Sequence, residues 1–255
     1  MARIFITGST QGLGRAAAVA LMDDGHEVVL HARNPERADA VADLAERAAG
    51  VVVGDLASAE ATHDLAEQVN TFGRMDAVIH NAGIYVEPDR SATADGHART
   101  LAVNVLAPYL LTVEMARPDR LIYLSSGLHT GGGSSLDDID WTSRRWNGSR
   151  AYAESKLHVA ALACTVARRW PDVVANAVDP GWVPTRMGGP SATDDLVAGH
   201  ETQVWLAVSD DPEATTSGGY WFHRRRQEPA AAVTDEAFGD ALVAELGRLT
   251  GVPFP

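Results

Sequence analysis

A tyrosine and a lysine, Tyr152 and Lys156, lie four residues apart in the helix-favouring stretch AYAESKL. Side chains at this spacing are neighbours on one face of a helix. A free phenol has a pKa of ~10 and is a poor base at neutral pH, but a nearby ammonium group favours the phenolate. Tyr152 could therefore act as an acid or a base. On an ordinary surface helix the same two side chains would only cover apolar area. A catalytic role for the pair therefore needs further evidence from the rest of the sequence.

A glycine-rich turn, TGSTQGLG, runs from Thr7 to Gly14 and directly follows the apolar stretch RIFIT. Glycine is needed where a backbone turns tightly, approaches a ligand or lets a helix pack on a strand. The alanine-rich stretch that follows predicts a helix, and the first N–H groups of a helix attract anions. A plain strand-to-helix turn would also accept glycines. The preceding strand, the spacing and the helix together favour a pyrophosphate site.

Residues at the ends of the next strands indicate which dinucleotide would bind. A site selective for NAD usually places a carboxylate at the end of the second strand, where it binds the ribose hydroxyls. Residues 31–33 contain none; Arg33 could instead pair with a 2′-phosphate, or it could be solvated. Asp55 could accept a hydrogen bond from the adenine amine, and the small residues 81–83 would let the backbone approach the cofactor. NADP(H) is therefore favoured, with NAD(H) as the alternative.

Composition and charge exclude several other functions. The net charge of −13 argues against a nucleic-acid partner, and the short basic run 224–226 is interpreted as a solvated loop. Cys164 is the only cysteine, so no intrachain disulfide or cysteine-based metal site can form, and no metal is predicted. No stretch approaches the ~18 apolar residues of a membrane span, and the N-terminus lacks the apolar core of a signal peptide. We therefore expect a soluble cytoplasmic protein with no membrane partner.

Apolar strands alternate with helical stretches along the whole chain. Several strands are apolar at successive positions, as expected when both faces of a sheet are buried. The alternation predicts parallel βαβ units with right-handed crossovers. It therefore predicts a single-domain α/β Rossmann fold over residues 1–255, with a doubly wound, mostly parallel seven-stranded sheet between helices. The predicted strands are 3–7, 27–32, 50–55, 76–80, 120–125, 173–179 and 220–223, and the helical stretches include 13–25, 36–50, 61–73 and 100–115.

Taken in order, these motifs resemble those of the short-chain dehydrogenase/reductase family over essentially the whole chain. The matching stretches are TGSTQGLG, GDL, NAG, LAVNVLAPYLLT, YLSSG, YAESK and DPGWVPT. The resemblance implies a catalytic tetrad of Asn104, Ser126, Tyr152 and Lys156. The cofactor-binding residues predicted from the motifs are Thr7, Gly8, Ser9, Gln11, Gly12, Leu13, Gly14, Arg33, Asp55, Leu56, Asn81, Ala82, Gly83, Tyr152, Lys156, Pro180, Gly181, Val183 and Thr185.

The resemblance also implies a role for each member of the tetrad. Tyr152 acts as acid and base, and Ser126 donates a hydrogen bond to the same substrate oxygen. Lys156 holds the nicotinamide ribose, and Asn104, at a helix break, anchors a water that reprotonates Lys156. The choice of Ser126 over Ser125 follows the family's usual use of the second serine in such a pair. The hydride chemistry itself belongs to the nicotinamide.

Two features depart from the simplest members of the family. Ser126 and Tyr152 are 26 residues apart, about twice the usual separation, and the extra segment 127–149 resembles the insertion of retinol-dehydrogenase-like members. Its Trp141 and Trp146 could form walls of the substrate pocket or pack over the core. The link from the helix at Asn104 to the fifth strand is short, which puts the family's usual pairing through that helix in doubt. A homodimer is still the expected assembly.

The segment after the sixth strand is predicted to cover the site. Two prolines and a glycine between Pro180 and Thr185 fix the turn that leaves the sheet, and the family pattern suggests that Thr185 reaches the nicotinamide carboxamide. The following residues contain few large apolar anchors, so they should be among the least stable parts of the fold. We expect a substrate lid over about 185–203, with an ordinary surface loop as the alternative.

The sequence thus predicts an NADP(H)-dependent oxidoreductase that interconverts an alcohol and a carbonyl on a small to medium, lipophilic molecule. One alternative is a nucleotide-binding sensor without catalysis, although such proteins commonly lack the Tyr or the Lys. Another is a sugar-nucleotide epimerase or dehydratase. Those proteins carry the motif TGxxGxxG, whereas this chain has the spacing TGxxxGxG. They also carry a larger substrate domain, for which 255 residues leave little room.

Overall fold

The computed structural model describes residues 1–255 and is built around one eight-stranded sheet. The first seven strands coincide with the predicted stretches to within a residue or two at each end. The strands are β1 Arg3–Ile6, β2 Glu27–Ala32, β3 Gly50–Val53, β4 Ala77–His80, β5 Arg120–Leu124, β6 Val174–Asp179, β7 Tyr220–Phe222 and β8 Arg225–Gln227.

Seven strands run parallel in the order β3-β2-β1-β4-β5-β6-β7. The predicted single-domain, doubly wound α/β fold with a mostly parallel sheet is therefore confirmed. The chain order reverses between β1 and β4, since β2 and β3 lie on one side of β1 and the later strands lie on the other. In open sheets of this kind the crevice at the carboxyl ends of the strands beside such a switch point is where ligands bind.

The predicted number of strands was wrong by one. The additional strand, β8, pairs antiparallel with β7 at the edge of the sheet. His223 and Arg224, between the two strands, have positive φ values of 47° and 59°. Such turns usually contain Asn or Gly, so this hairpin carries no turn signal in the sequence. The basic run 224–226, interpreted above as a solvated loop, lies in this turn and in β8, whose residues are all exposed.

Helices cover both faces of the sheet. The stretch 36–50 was predicted as one helix but forms two short ones, because the chain leaves the helical conformation at Val41, whose side chain is fully buried. None of the helices combines the length and apolar composition needed to cross a membrane. The helices are α1 Gly12–Asp23, α2 Pro35–Asp39, α3 Ala42–Ala45, α4 Ala59–Asn70, α5 Arg99–Leu101, α6 Ala107–Glu114, α7 Gly148–Arg169, α8 Leu196–Val208 and α9 Glu236–Thr250, with a π-helical turn Ala102–Leu106 and 3₁₀ turns Gly127–Gly131 and Ala231–Val233.

An apolar layer lies on each face of the sheet. Phe5 of β1 points into the larger layer, under α4, α6 and α7, whereas Ile4 and Ile6 point into the other, under α1 and α8. Successive side chains of a strand point to opposite faces. Because both faces are buried, successive residues must all be apolar, which is why the strands were readable from the sequence.

The insertion 127–149 is held by a buried carboxylate on α7. The Glu154 side chain is only 3 % exposed; it accepts hydrogen bonds from the Arg144 guanidinium at 2.5 and 2.9 Å, from Arg150 Nε at 3.1 Å and from the Trp141 indole at 3.1 Å. A buried carboxylate is costly unless it is paired in this way. The contacts therefore fix the insertion on the same helix that carries Tyr152 and Lys156.

Removing the charge of Glu154 should destabilise the fold measurably. Glu154→Gln is expected to lower the free energy of unfolding by about 3 kcal/mol, the lower end of the range for breaking a buried ion pair, because Arg144 and Arg150 stay partly exposed and regain water. Chemical denaturation measures this difference. The control is Glu245→Gln, which breaks an exposed pair with Arg248 and should cost less than about 1 kcal/mol. Equal losses in the two variants would contradict the anchoring role of Glu154.

Candidate active site

A cavity of about 420 Å³ lies at the carboxyl ends of the central strands, beside the switch point between β1 and β4. It contains most of the predicted cofactor-binding residues, together with ten that were not predicted. The predicted residues in its wall are Gly8, Gln11, Gly12, Leu13, Arg33, Asp55, Leu56, Asn81, Ala82, Gly83, Tyr152, Lys156, Pro180 and Thr185, and the others are Thr10, His31, Arg37, Ile84, Arg99, Val103, Leu124, Ser125, Arg186 and Met187.

The glycine turn forms one end of this cavity. Gly8 and Gly12 have positive φ values of 65° and 56°, a conformation that favours glycine. A side chain at Gly14 would overlap the Asn81 amide and the Gly8 carbonyl, so this glycine lets the turn pack against the end of β4. Helix α1 begins at Gly12, and its first N–H groups lie at the cavity wall, where they suit a phosphate.

Five predicted cofactor-binding residues do not line the cavity: Thr7, Ser9, Gly14, Gly181 and Val183. The hydroxyls of Thr7 and Ser9 instead form hydrogen bonds within the protein. Thr7 Oγ1 accepts from the Ala82 N–H at 3.0 Å, and Ser9 Oγ accepts from the His31 N–H at 2.8 Å. These bonds connect the turn to the ends of β4 and β2, so Thr7 and Ser9 shape the site from behind.

His31 was not predicted as a site residue, yet it connects three strand ends. Its Nδ1 accepts from the Gly8 N–H at 2.8 Å, and its Nε2 lies 2.8 Å from the Gly54 carbonyl, to which it donates. Burial lowers the pKa of the imidazole, so the neutral form that these bonds require is the stable one. The only signal in the sequence was a histidine at the end of an otherwise apolar strand.

Positive charge is concentrated on the cavity wall. Arg33, Arg37, Arg99 and Arg186 line it, together with Lys156, whereas Asp55 is the only carboxylate there. Of the arginines, Arg99 is partly neutralised by Glu87 at 3.1 Å. The protein as a whole carries a net charge of −13, so this concentration is local. A group with several phosphates fits such a wall, and this agrees with the glycine turn and helix terminus beside it.

Lys156 and Tyr152 lie together on the buried face of α7. The Lys156 ammonium donates to the Leu124 carbonyl at 2.8 Å and lies 5.7 Å from the centre of the Tyr152 ring. Burial lowers the pKa of Lys156 to about 8, although the Asp179 carboxylate opposes this. The predicted helical pair therefore exists, and both side chains reach the cavity wall.

Burial dominates the pKa of Tyr152 and raises it to about 12; the Ser126 side chain lowers it, and Tyr85 and Asp179 raise it further. The sequence predicts that the Lys156 ammonium favours the phenolate, but in this structure the loss of hydration decides the direction of the shift. Tyr152 is therefore a neutral phenol at neutral pH. It is able to donate a proton.

The two serines after β5 have different surroundings. Ser125 is buried and lines the cavity, but its hydroxyl donates to the Lys156 carbonyl at 2.8 Å and is thus engaged in holding α7. Ser126 is half-buried, and its hydroxyl lies close enough to the Tyr152 phenol to lower the pKa of that group. Although Ser126 is outside the cavity wall, its hydroxyl is the one beside the phenol.

Asn104 lies in the π-helical turn Ala102–Leu106, where the sequence predicted a helix break. Its amide holds the loop after β4: Oδ1 accepts from the Ile84 N–H at 2.9 Å, and Nδ2 donates to the Ile84 carbonyl and to Ser155 Oγ, both at 3.0 Å. Both amide protons are therefore used. A water anchored at this residue, as the resemblance implied, would have to bond to other atoms of Asn104.

The segment after β6 folds over the cavity from the other side. Thr185, Arg186 and Met187 line the cavity. The hydrogen bonds within the segment include those from the Trp182 indole to the Gly188 carbonyl, from the Gly188 N–H to Thr185 Oγ1 and from the Trp182 N–H to Asp194 Oδ2. Helix α8 begins at Leu196 and is partly buried. The irregular part of the predicted lid is thus shorter than 185–203 and ends at Asp195.

Neither tryptophan of the insertion lines this cavity. Trp141 is buried and Trp146 is half-buried against the core; the two rings meet edge-on with centroids 5.5 Å apart. Trp146 also donates to the Glu87 carbonyl at 3.0 Å. Of the two roles considered for these residues, the structure favours packing.

The chain is similar to several oxidoreductases along its length. It is 42% identical to the short-chain dehydrogenase chyC of Penicillium rubens over 100% of both chains. It is 36% identical to a Streptomyces protein provisionally named daunorubicin C-13 ketoreductase DnrU, over 84% of this chain and 80% of the relative. Human retinol dehydrogenase 13 is 30% identical, over 99% of this chain and 85% of the relative.

Two further comparisons agree. The family described as Enoyl-(Acyl carrier protein) reductase matches residues 8–216. A crystal structure of an uncharacterized protein from Mycobacterium Paratuberculosis superimposes with a TM-score of 0.84 and 27% identity, covering 100% of this chain and 95% of the other. Together with the fold and the cavity, these similarities identify the chain as a member of the short-chain dehydrogenase/reductase family, and hence as an NAD(P)-dependent dehydrogenase or reductase.

Proposed function

We propose that this protein is an NADP(H)-dependent carbonyl reductase that uses Tyr152 as the proton donor and acts on small to medium, lipophilic carbonyl compounds. The observation that carries the proposal is the neutral, buried phenol of Tyr152 at the wall of an arginine-lined cavity. The similarity to a protein named as a ketoreductase supports the same reaction class. The reverse reaction, oxidation of the alcohol, uses the same residues.

Tyr152 is protonated at neutral pH, as a proton donor in the reductive direction must be. In this direction the carbonyl carbon accepts a hydride, which the reduced nicotinamide supplies when bound, and the carbonyl oxygen accepts the phenolic proton of Tyr152. The products are the alcohol and the oxidised cofactor. A phenol with its pKa raised to about 12 holds its proton until the oxygen becomes basic. Oxidation would first need the phenolate, which burial opposes.

Ser126 and Lys156 have separate supporting roles in this proposal. The Ser126 hydroxyl, beside the phenol, donates a hydrogen bond to the substrate oxygen and stabilises the charge that develops there. Lys156 holds the nicotinamide ribose from its fixed position against the Leu124 carbonyl. With its pKa lowered to about 8, Lys156 can release a proton toward Tyr152 more readily than an exposed lysine could.

Arg33 and Arg37 are proposed to bind the 2′-phosphate that distinguishes NADP(H) from NAD(H). Arg33 follows β2, and Arg37 belongs to α2, whose cap Asn34 accepts from the Arg37 N–H at 3.0 Å. Both side chains line the cavity on the side of Asp55. A planar guanidinium matches phosphate geometry, and no carboxylate at residues 31–33 is available for the ribose hydroxyls of NAD(H).

Replacing the proton donor tests the mechanism. Tyr152→Phe removes one hydroxyl and little volume, so the fold and NADPH affinity should persist while turnover falls by at least ~10²-fold, the usual scale of acid–base assistance. Steady-state rates and fluorescence titration with NADPH measure the two effects. The control is Tyr109→Phe, which removes the hydroxyl that donates to the Val252 carbonyl, away from the cavity, and should not change turnover. Near-normal turnover of Tyr152→Phe would exclude this residue as the donor.

Replacing Arg33 tests the choice of cofactor. Arg33→Ala should weaken NADPH binding by roughly 1.5–3 kcal/mol, the usual contribution of a hydrogen bond to a charged group, and leave NADH binding almost unchanged. Titrating both cofactors measures this without turnover. Arg145→Ala, which removes an exposed arginine outside the cavity, is the matched control. If both cofactors lose the same affinity, Arg33 does not recognise the 2′-phosphate.

The irregular segment 186–195 is proposed to act as a lid over the substrate. It contains two adjacent glycines and the exposed Met187, and Trp182 just before it is also exposed. Few buried side chains therefore hold the segment in one position. Hydrogen exchange of its amides should slow in the complex with NADPH and an unreactive substrate analogue. Helix α9 is the internal control and should not change. Equal protection of residues 186–195 with and without ligands would show that this segment is an ordinary surface loop and not a lid.

A further inference from the structure

The exposed large apolar side chains of this protein are clustered. Apart from Met1 and Val197, they all lie in the segments that directly follow β4, β5 and β6; they are Tyr85, Val86, Leu128, Trp182 and Met187. Because these strands are parallel neighbours, their carboxyl ends lie at one edge of the sheet, beside Tyr152. Contiguous exposed apolar area on a soluble protein marks a contact site.

Tyr85 is the member of this cluster that touches the proposed proton donor. Its ring is 45% exposed and meets the Tyr152 ring edge-on, with centroids 4.8 Å apart and an interplanar angle of 78°. It thereby covers part of Tyr152, which is itself almost fully buried. Tyr85 is not part of the cavity wall itself, but it follows Ile84, which is, so its exposed ring borders the cavity beside Tyr152.

The loop that carries Tyr85 is held firmly on both sides. Before it, the Asn104 amide binds both the N–H and the carbonyl of Ile84. After it, the Glu87 carbonyl accepts from the Trp146 indole and packs closely on Gly148, where a side chain would overlap it. Because the backbone on both sides of Tyr85 is fixed, a ligand that contacts the ring has only the side-chain torsions left to order, which limits the entropic cost.

From this arrangement we infer that the substrate is an aryl ketone, a carbonyl attached to an aromatic ring, and that Tyr85 is the residue that selects it. The inference rests on the proposed carbonyl reductase activity. Aromatic rings interact edge-to-face and offset-stacked, with a preference over aliphatic groups beyond the apolar area they bury. Tyr85 presents an exposed aromatic surface for such an interaction, in contact with the ring of the proposed proton donor. Leu128, Trp182 and Met187 add exposed apolar area for a substrate to contact. The aromatic ring that touches Tyr152 is that of Tyr85 and not that of Trp182.

The test compares two ketones of nearly equal size, phenyl methyl ketone and cyclohexyl methyl ketone, with NADPH as reductant. The wild-type protein should have the higher kcat/KM for the phenyl compound. Tyr85→Phe keeps the ring and should keep this preference. Tyr85→Leu removes the ring and should lower the ratio of the two kcat/KM values, phenyl over cyclohexyl, about three- to tenfold, the fold-change that corresponds to an aromatic pair. Any change at Tyr152 affects both ketones and cancels in this ratio.

Two outcomes would overturn the inference: no preference in the wild-type protein, or equal losses for both ketones in Tyr85→Leu. Failure of the proposed function is recognised separately, because neither ketone would then be reduced, or Tyr152→Phe would remain active. Binding of the phenyl ketone to the Tyr152→Phe protein loaded with NADPH supplies a readout without turnover. In this Tyr152→Phe background, adding Tyr85→Leu should weaken binding of the phenyl ketone by a similar factor and leave NADPH affinity unchanged.

Discussion

The site depends on how α7 is fastened to β5. Two hydrogen bonds cross between them at one point: Ser125 Oγ donates to the Lys156 carbonyl, and the Lys156 ammonium donates to the Leu124 carbonyl, both at 2.8 Å. Because the ammonium is buried, its bond to the carbonyl is strong and its loss would leave a charge without a partner. These bonds set the height of the helix over the sheet, and thereby the position of Tyr152, one turn earlier.

The same burial that fixes the helix also determines its chemistry. Removing water from Tyr152 and Lys156 raises the pKa of the phenol to about 12 and lowers that of the ammonium to about 8, so the two values move apart. Transfer of a proton from the Lys156 ammonium to a Tyr152 phenolate is therefore favoured, whereas the reverse transfer is not. The arginines lie in the wall of the same cavity, where bound phosphates would neutralise them. The structure therefore combines a charged cavity wall with the buried side chains of Tyr152 and Lys156.

Much of this arrangement could be predicted from the sequence, since the constraints that produce it are local. Strands buried on both faces must be apolar at each position, and the glycine turn, Arg33 and the Tyr152–Lys156 pair follow directly from such elements. What depends on tertiary burial could not be predicted. No pattern along the chain indicates the pKa of Tyr152 or the three contacts of His31. The same holds for β8, because its turn contains His223 and Arg224 at positive φ instead of the usual turn residues.

Asn104 links the reacting residues to the surface that would recognise substrate. Its amide holds Ile84 on one side and Ser155 on the other, so the loop that carries Tyr85 and the helix that carries Tyr152 are positioned by one side chain. The insertion adds a second connection, from Trp146 to Glu87 and from Glu154 to Arg144. Because both connections use main-chain atoms of the loop, the backbone position of the loop does not depend on the side chains at residues 85 and 86. The side chain at residue 85 still contacts Tyr152, so a change there acts on specificity and on the proposed proton donor together.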